Sequence, residues 1–160
     1  MHIHGVSAVV DSQLKEQTCI KSDAGLITSI SFNCTETPDS LHAGTLIPGF
    51  VDIHSHGGGG FYFSDLSPEN VAAARNTHLT HGTTTHIASL VTEPIGVLEE
   101  QILRLLPMVN AGVFEGIHLE GPYLSHARCG AHEPSLLRSP AIDELSALVD
   151  AGQGSISMVT

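Results

Sequence analysis

The chain is poor in positive charge. It has 6 Lys and Arg against 17 Asp and Glu, a formal net charge of −11, and no basic cluster. A nucleic-acid partner, which needs such a cluster, is excluded as an expectation. No apolar run reaches the roughly 18 residues of a membrane span, so no membrane partner is expected. The N-terminus lacks a basic segment followed by an apolar core, so no secretory signal is read there. Three cysteines, Cys19, Cys34 and Cys129, show no metal-type spacing, and their odd number argues against a disulfide framework. A cytoplasmic location is the simplest expectation. What the chain does have is 160 residues, 41% of them hydrophobic, and a mean hydropathy of +0.15, enough for a folded domain with a real core. It also has 11 histidines, more than packing requires.

Residues 1–43 read as a small β unit. Ile3 to Val10 is a strand candidate, and Thr18 to Lys21 and Leu26 to Phe32 flank a hairpin turn at Ser22-Asp23-Ala24-Gly25. Asn33 to His42 reads as a polar connector. From Gly44 the pattern becomes strand, loop, helix, repeated to residue 160. Ser67-Pro68-Glu69 supplies a hydroxyl N-cap, a proline at the first helical position and an early acid, and His81-Gly82 ends that helix. The β-branched run Thr83 to Val91 follows as a strand. A second helix from about Pro94 carries Ile95, Leu98, Ile102, Leu105 and Val109 at helical spacing, with a kink or restart expected at Pro107. Val113 to Glu120 is a third strand, Ser139-Pro140 opens a third helix, and Ile156 to Thr160 is a fourth strand.

Strands alternating with helices predict a parallel sheet of βαβ units, in either a doubly wound sheet or a (β/α)8 barrel. Residues with chemistry fall at the ends of successive strands: His54 and His56, Thr92 and Glu93, then Glu120. That distribution favours the barrel. The contiguous glycines Gly57 to Gly60 do not make the spaced-glycine dinucleotide fingerprint.

Leu46 to His56 reads as one short strand, apolar on both faces, that delivers His54 and His56 to its end. Two residues apart on a strand, they point the same way, roughly 6–7 Å apart, and can converge on one metal ion. A bare His-x-His is common, and His2-Ile3-His4 has the same spacing at a chain end without the buried strand and glycine loop. Gly116 to Pro122 is the second informative stretch. Its strand stops at Gly121-Pro122 and leaves Glu120 at the mouth, where a carboxylate can join histidines of a neighbouring strand around a metal. His118, one step deeper, reads as a hydrogen-bonded core histidine, and His78, His81 and His86 read as structural. The polar loop from Tyr123 to Pro134 carries His126, Arg128, Cys129 and His132 over this site, where loops bind or cover substrate. Cys129 has no base placed to make it a nucleophile.

Together Pro48 to Gly57, Gly82-Thr83-Thr84-Thr85 and His118-Leu119-Glu120-Gly121-Pro122-Tyr123, followed by Gly130-Ala131-His132, resemble the amidohydrolase superfamily and, within it, the N-acetylglucosamine-6-phosphate deacetylases. The resemblance implies the first part of a metal-dependent (β/α)8 barrel, about four βα units over residues 44–160, preceded by a small β-sandwich-type sheet over residues 1–43. It implies hydrolysis of the acetamide of N-acetylglucosamine 6-phosphate, with one or two divalent ions, zinc foremost and iron, manganese or cobalt as alternatives. Glu120 matches the central metal ligand, and His54 and His56 match ligands of a further metal. Ala131 and His132 match positions that contact the sugar. The catalytic aspartate, two further metal histidines and most phosphate contacts would follow Thr160, so no catalytic residue is assigned here, and Arg128 is one candidate donor to the phosphate. A complete barrel needs ~250 residues. The expectation is a chain covering the N-terminal half, inactive and prone to association by itself, and a homodimer at full length. The competing readings are another amidohydrolase, dihydroorotase-like or adenine-deaminase-like, and a non-catalytic fragment.

Overall fold

The computed structural model describes residues 1–4, 7–33, 40–41 and 44–160. By its contacts the chain divides into two units, Met1–Pro48 and Gly49–Thr160.

The first unit is all β: β1 (His2–His4), β2 (Ser7–Val10), β3 (Gln13–Glu16), β4 (Thr18–Asp23), β5 (Leu26–Phe32), β6 (Ser40–Leu41) and β7 (Thr45–Leu46). One sheet has the order β5-β4-β1-β6 and the other β3-β2-β7. Asp23 pairs with Leu26 across a two-residue turn in which Ala24 and Gly25 both have positive φ, the mirror-image turn that matches strand twist. A second hairpin, β2 to β3, turns at Asp11 and Ser12, also both at positive φ. Sequence reading missed it because no glycine marks it; a short side chain that bonds its own backbone lets Asp take that conformation. Cys19 is buried and disulfide-bonded, so the odd count left room for one bridge, while Cys129 is free. The Asn33 to His42 connector lies largely outside the described residues, as does Cys34.

The second unit contains β8 (Phe50–Ser55), β9 (Gly57–Gly58), β10 (Phe61–Tyr62), α1 (Pro68–Thr80), β11 (Thr83–Val91), α2 (Ile95–Asn110), β12 (Gly116–Glu120), α3 (Ile142–Ala151) and β13 (Ile156–Val159). Its main sheet runs β13-β12-β11-β8, every pairing parallel. The expected α/β order is therefore present. The single strand read from Leu46 to His56 is corrected: Thr45–Leu46 pairs with β2 in the first unit, and Ile47-Pro48-Gly49 separates it from β8. Nor is β8 apolar and buried on both faces. Val51 and Ile53 are 65% and 54% exposed on one face, while Asp52 lies on the other.

The core lies between the sheet and its helices. Ala88 and Leu90 of β11 and Ile117 and Leu119 of β12 pack with Leu98, Ile102 and Leu105 of α2 and Val71 and Ala74 of α1. Ser67 caps α1, its Oγ accepting from the Asn70 N–H at 3.3 Å. Arg75, buried in α1, spreads its guanidinium over the carbonyls of Thr83, Thr84 and Val113, tying the helix to the foot of the sheet. Pro107 does not kink α2 into two; it sits in the last turn, and its own carbonyl accepts the Ala111 N–H that closes the helix. β12 starts at Gly116, not Val113, because the Val113 N–H is taken by the Met108 carbonyl and Phe114 is buried in the core. Among the described residues no helix is long and apolar enough to cross a membrane.

Ile102 is fully buried, so Ile102→Ala should destabilise the chain by about 2–5 kcal/mol. Urea denaturation measures this; a loss below about 1 kcal/mol would mean that α2 is not packed on the sheet as described.

Candidate functional site

β8, β11 and β12 run parallel, so their C-terminal ends share one edge of the sheet. β8 and β12 are not neighbours, since β11 lies between them. The cluster at this edge therefore forms across the tip of β11, and a local irregularity in β8 makes that possible. Asp52 pairs with His86 and Ser55 with Ala88, three steps on β8 against two on β11. The extra residue is a bulge, closed by the His54 N–H donating to Asp52 Oδ1 at 3.1 Å. It puts Asp52 and Ser55 on the helix side, near His86, and sends His54 and His56 to the other side.

There the two imidazoles meet Glu120, the last residue of β12. His54 Nε2 is 3.3 Å from Oε1 and His56 Nε2 is 2.8 Å from Oε2. The two rings lie 5.3 Å apart at 71°. His132, from the long loop, brings its Nε2 to 3.6 Å from Oε2. Burial pushes the Glu120 carboxyl up. The His54 hydrogen bond and the nearby His54, His56 and His132 rings outweigh that and hold it below its ordinary value. One carboxylate thus faces three imidazoles.

The ring of His132 is oriented by Thr92, just past β11. The Thr92 hydroxyl donates to the Glu120 carbonyl at 3.2 Å, so it accepts from His132 Nδ1–H at 2.7 Å. That leaves the His132 Nε2 lone pair facing the cluster. Gly121 makes room for Thr92: its φ is +86°, and a Cβ there would stand 2.0 Å from Thr92 Oγ1. Sequence reading placed Thr92 at a strand end but not in this role, because its partners are distant in sequence. Thr92→Val removes both bonds while keeping shape. It should lower metal affinity at the cluster by about 10-fold, the smaller end of outer-shell losses. Competition with a chromogenic chelator measures this, and unchanged affinity would remove Thr92 from the site.

His118 is buried and hydrogen-bonded at both ring nitrogens, to Ser89 Oγ at 3.0 Å and Thr160 Oγ1 at 2.8 Å. Burial, with His54 beside it, holds its pKa below the ordinary value. Gly57 to Gly60 form the β9–β10 hairpin, in which a Cβ on Gly57 would stand 2.1 Å from the Phe61 carbonyl oxygen. A cleft of about 460 Å³ opens over the cluster, lined by His56, Glu120, Arg128, Ala131, His132 and Thr160. Four of the five residues singled out from the sequence line it, and the fifth, His54, lies against Glu120.

The donor set could hold a divalent metal ion. The ligating atoms of His54, His56 and Glu120 lie within 4.8 Å of one another, and two imidazoles with a carboxylate suit zinc and its neighbours.

No protein-family model matches the chain. It is 30% identical over 143 residues to an N-acetylgalactosamine-6-phosphate deacetylase of Shewanella sp. (strain ANA-3), covering 84% of this chain and 36% of that one. It is 39% identical over 102 residues to the N-acetylglucosamine-6-phosphate deacetylase of Bos taurus, covering 59% and 24%. A solved structure is similar over 99% of this chain and 42% of its own, with 37% identity and a TM-score of 0.93: a variant N-acetyl-D-glucosamine-6-phosphate deacetylase from Mycobacterium smegmatis in complex with N-acetyl-D-glucosamine-6-phosphate. The chain spans less than half the length of each of these proteins.

Proposed function

We propose, from this chain's kinship with the N-acetylglucosamine-6-phosphate deacetylases, that its strand-end cluster is the metal-binding part of an active site that hydrolyses the acetamide of N-acetylglucosamine 6-phosphate. The observation that carries the proposal is the convergence of His54, His56 and Glu120 beside a cleft that His56, Glu120, Ala131 and His132 line. The four parallel strands are read as half of an eight-stranded barrel, whose strand ends build the site.

In this reading Glu120, His54 and His56 hold a divalent ion, zinc foremost. When bound, the ion supplies Lewis-acid polarisation of the amide carbonyl and a water more acidic than bulk. Glu120 fixes the centre of the site through both oxygens. His132, held by Thr92, offers Nε2 to a polar group of the sugar. Arg128, exposed on the cleft wall, offers a guanidinium to the phosphate, whose charge the acidic chain would otherwise repel. Ala131 brings backbone, not bulk, to the sugar. No residue among these is assigned the proton transfer to the leaving amine.

The test is a chimera in which residues 49–160 replace the matching segment of the Mycobacterium smegmatis deacetylase. Acetate release is assayed from N-acetylglucosamine 6-phosphate and, because one relative is named for it, from the galactosamine epimer. The glucosamine substrate is expected to turn over faster. A folded, zinc-loaded chimera that releases no acetate from either would refute the proposal, and preference for the epimer would change the substrate.

A further inference from the structure

On the helix-covered side of β8 lies a second group of possible ligands. Asp52 of β8, His78 of α1 and His86 of β11 bring ligating atoms within 4.8 Å of one another. The tautomer of His78 follows from its surroundings. Its Nε2 is 2.9 Å from the Gly57 carbonyl oxygen, which can only accept, so Nε2 carries the proton of the neutral ring and Nδ1 a lone pair. That lone pair faces Asp52 Oδ2 at 3.8 Å, beyond hydrogen-bond range. With the ring neutral, two acceptors point at each other, an arrangement that favours a cation between them. His86 Nε2 is 3.9 Å from the same oxygen and 2.5 Å from Ser55 Oγ. Its ring is 1% exposed and packed edge-on against Phe63 and Phe114, and its Nδ1 is buried without a hydrogen-bond partner among the described residues.

We propose that Asp52, His78 and His86 form a site for a zinc-class divalent ion, separate from the Glu120 cluster, which pins α1 to β8 and β11. Ligands at ~2.0–2.2 Å in a tetrahedron stand about 3.3–3.6 Å apart, so the two spacings to Asp52 Oδ2, 3.8 and 3.9 Å, need to close by about half an ångström or less. The bond from His78 Nε2–H to a backbone carbonyl is the support that a ligating imidazole needs at its other nitrogen. The three ligands come from a strand, a helix and a second strand already fixed by packing, and Ser55 Oγ, beside His86 Nε2, is an oxygen available for a fourth position. Two imidazoles with one carboxylate suit zinc or cobalt rather than magnesium or calcium. The site does not depend on the reading of the Glu120 cluster.

The experiment uses the 160-residue chain carrying His54→Asn, His56→Asn and Glu120→Gln, which disables the first cluster. Cobalt(II) is the probe, read by its visible absorption. One equivalent should bind with the spectrum of a four-coordinate nitrogen–oxygen site and be displaced by zinc. Adding His78→Gln or Asp52→Asn should weaken binding at least about tenfold, with the metal-free circular dichroism unchanged. On the otherwise native chain His78→Gln should lower the cobalt stoichiometry from two to one, which keeps the test decisive if the triple variant does not fold. Absence of binding by the triple variant once folded would overturn the proposal and make Asp52 and His78 a plain ion pair. So would binding that both added substitutions leave unchanged, which would place the ion on other histidines.

Discussion

Glu120→Gln is expected to weaken zinc binding at the strand-end cluster by more than about a hundredfold, beyond the 10–100-fold that outer-shell losses cost. Glu120 is the anion of the cluster, and each of its oxygens faces a different imidazole, His54 at 3.3 Å and His56 at 2.8 Å. Glutamine keeps the volume and replaces one of those oxygens with an NH2 that cannot ligate. It also removes the charge that offsets a dication. His54 and His56 are more exposed than Glu120, 48% and 32% against 22%, and each can be backed by the other imidazole. Single substitutions to Asn there should cost less than Glu120→Gln. Competition titrations on a His78→Gln background isolate this cluster from the Asp52 group. Equal zinc affinities with and without the Glu120→Gln substitution would show that the convergence of these side chains is ionic pairing and nothing more.

The same variant bears on catalysis in the Mycobacterium smegmatis chimera. Loss of zinc there should remove acetate release together with metal. Retained metal with lost turnover would instead make Glu120 a positioning residue for substrate. Metal content measured beside acetate release separates the two.

Where sequence reading succeeded, local chemistry was decisive. Thr83 to Val91 forms β11 because a β-branched run ends at a glycine on one side and a proline-led helix on the other. α1 begins at Pro68 because Ser67 caps it and the proline needs no N–H partner. Glu120 stands at a strand mouth because Gly121-Pro122 cannot continue the strand. The failures share a different cause. The bulge in β8 is a property of its pairing with β11, so nothing within Phe50 to Ser55 announces it. Without it, alternation would put Asp52 beside His54, and the Asp52, His78 and His86 group would not exist. Thr92 joins Glu120 and His132, 28 and 40 residues away, and no local pattern encodes a hub of that kind. His86, read as structural, has its pKa lowered to about 4, chiefly by burial. Burial of a histidine in a β-branched strand is set by the helices that cover it, which the strand itself does not disclose.

The exposed face of β8 leads to the second large effect. Phe50, Val51 and Ile53 are 56%, 65% and 54% exposed, and Val91 of β11 and Val159 of β13 are 38% and 39% exposed. β8 and β13 are also the two outer strands of the main sheet, each with one side unpaired within it. An apolar face gains about 25 cal/mol for each Å² it covers, and an unpaired strand edge offers backbone groups to another chain. The 160-residue chain by itself should therefore associate at tens of micromolar and bind a hydrophobic dye. Val51→Lys with Ile53→Lys should reverse this. The sedimenting mass should fall toward 16.8 kDa and the dye signal drop severalfold. Both side chains point away from the core that Ala88, Leu90 and Ile102 build, so the thermal midpoint should hold. A fall in midpoint as large as that of Ile102→Ala would mean that Val51 and Ile53 are packed in solution. A wild-type chain that stays monomeric and dye-free at a hundred micromolar would mean that this face is covered within the chain. Association relieved by the two lysines would mean that this apolar face, and not the strand edges alone, joins one copy to the next.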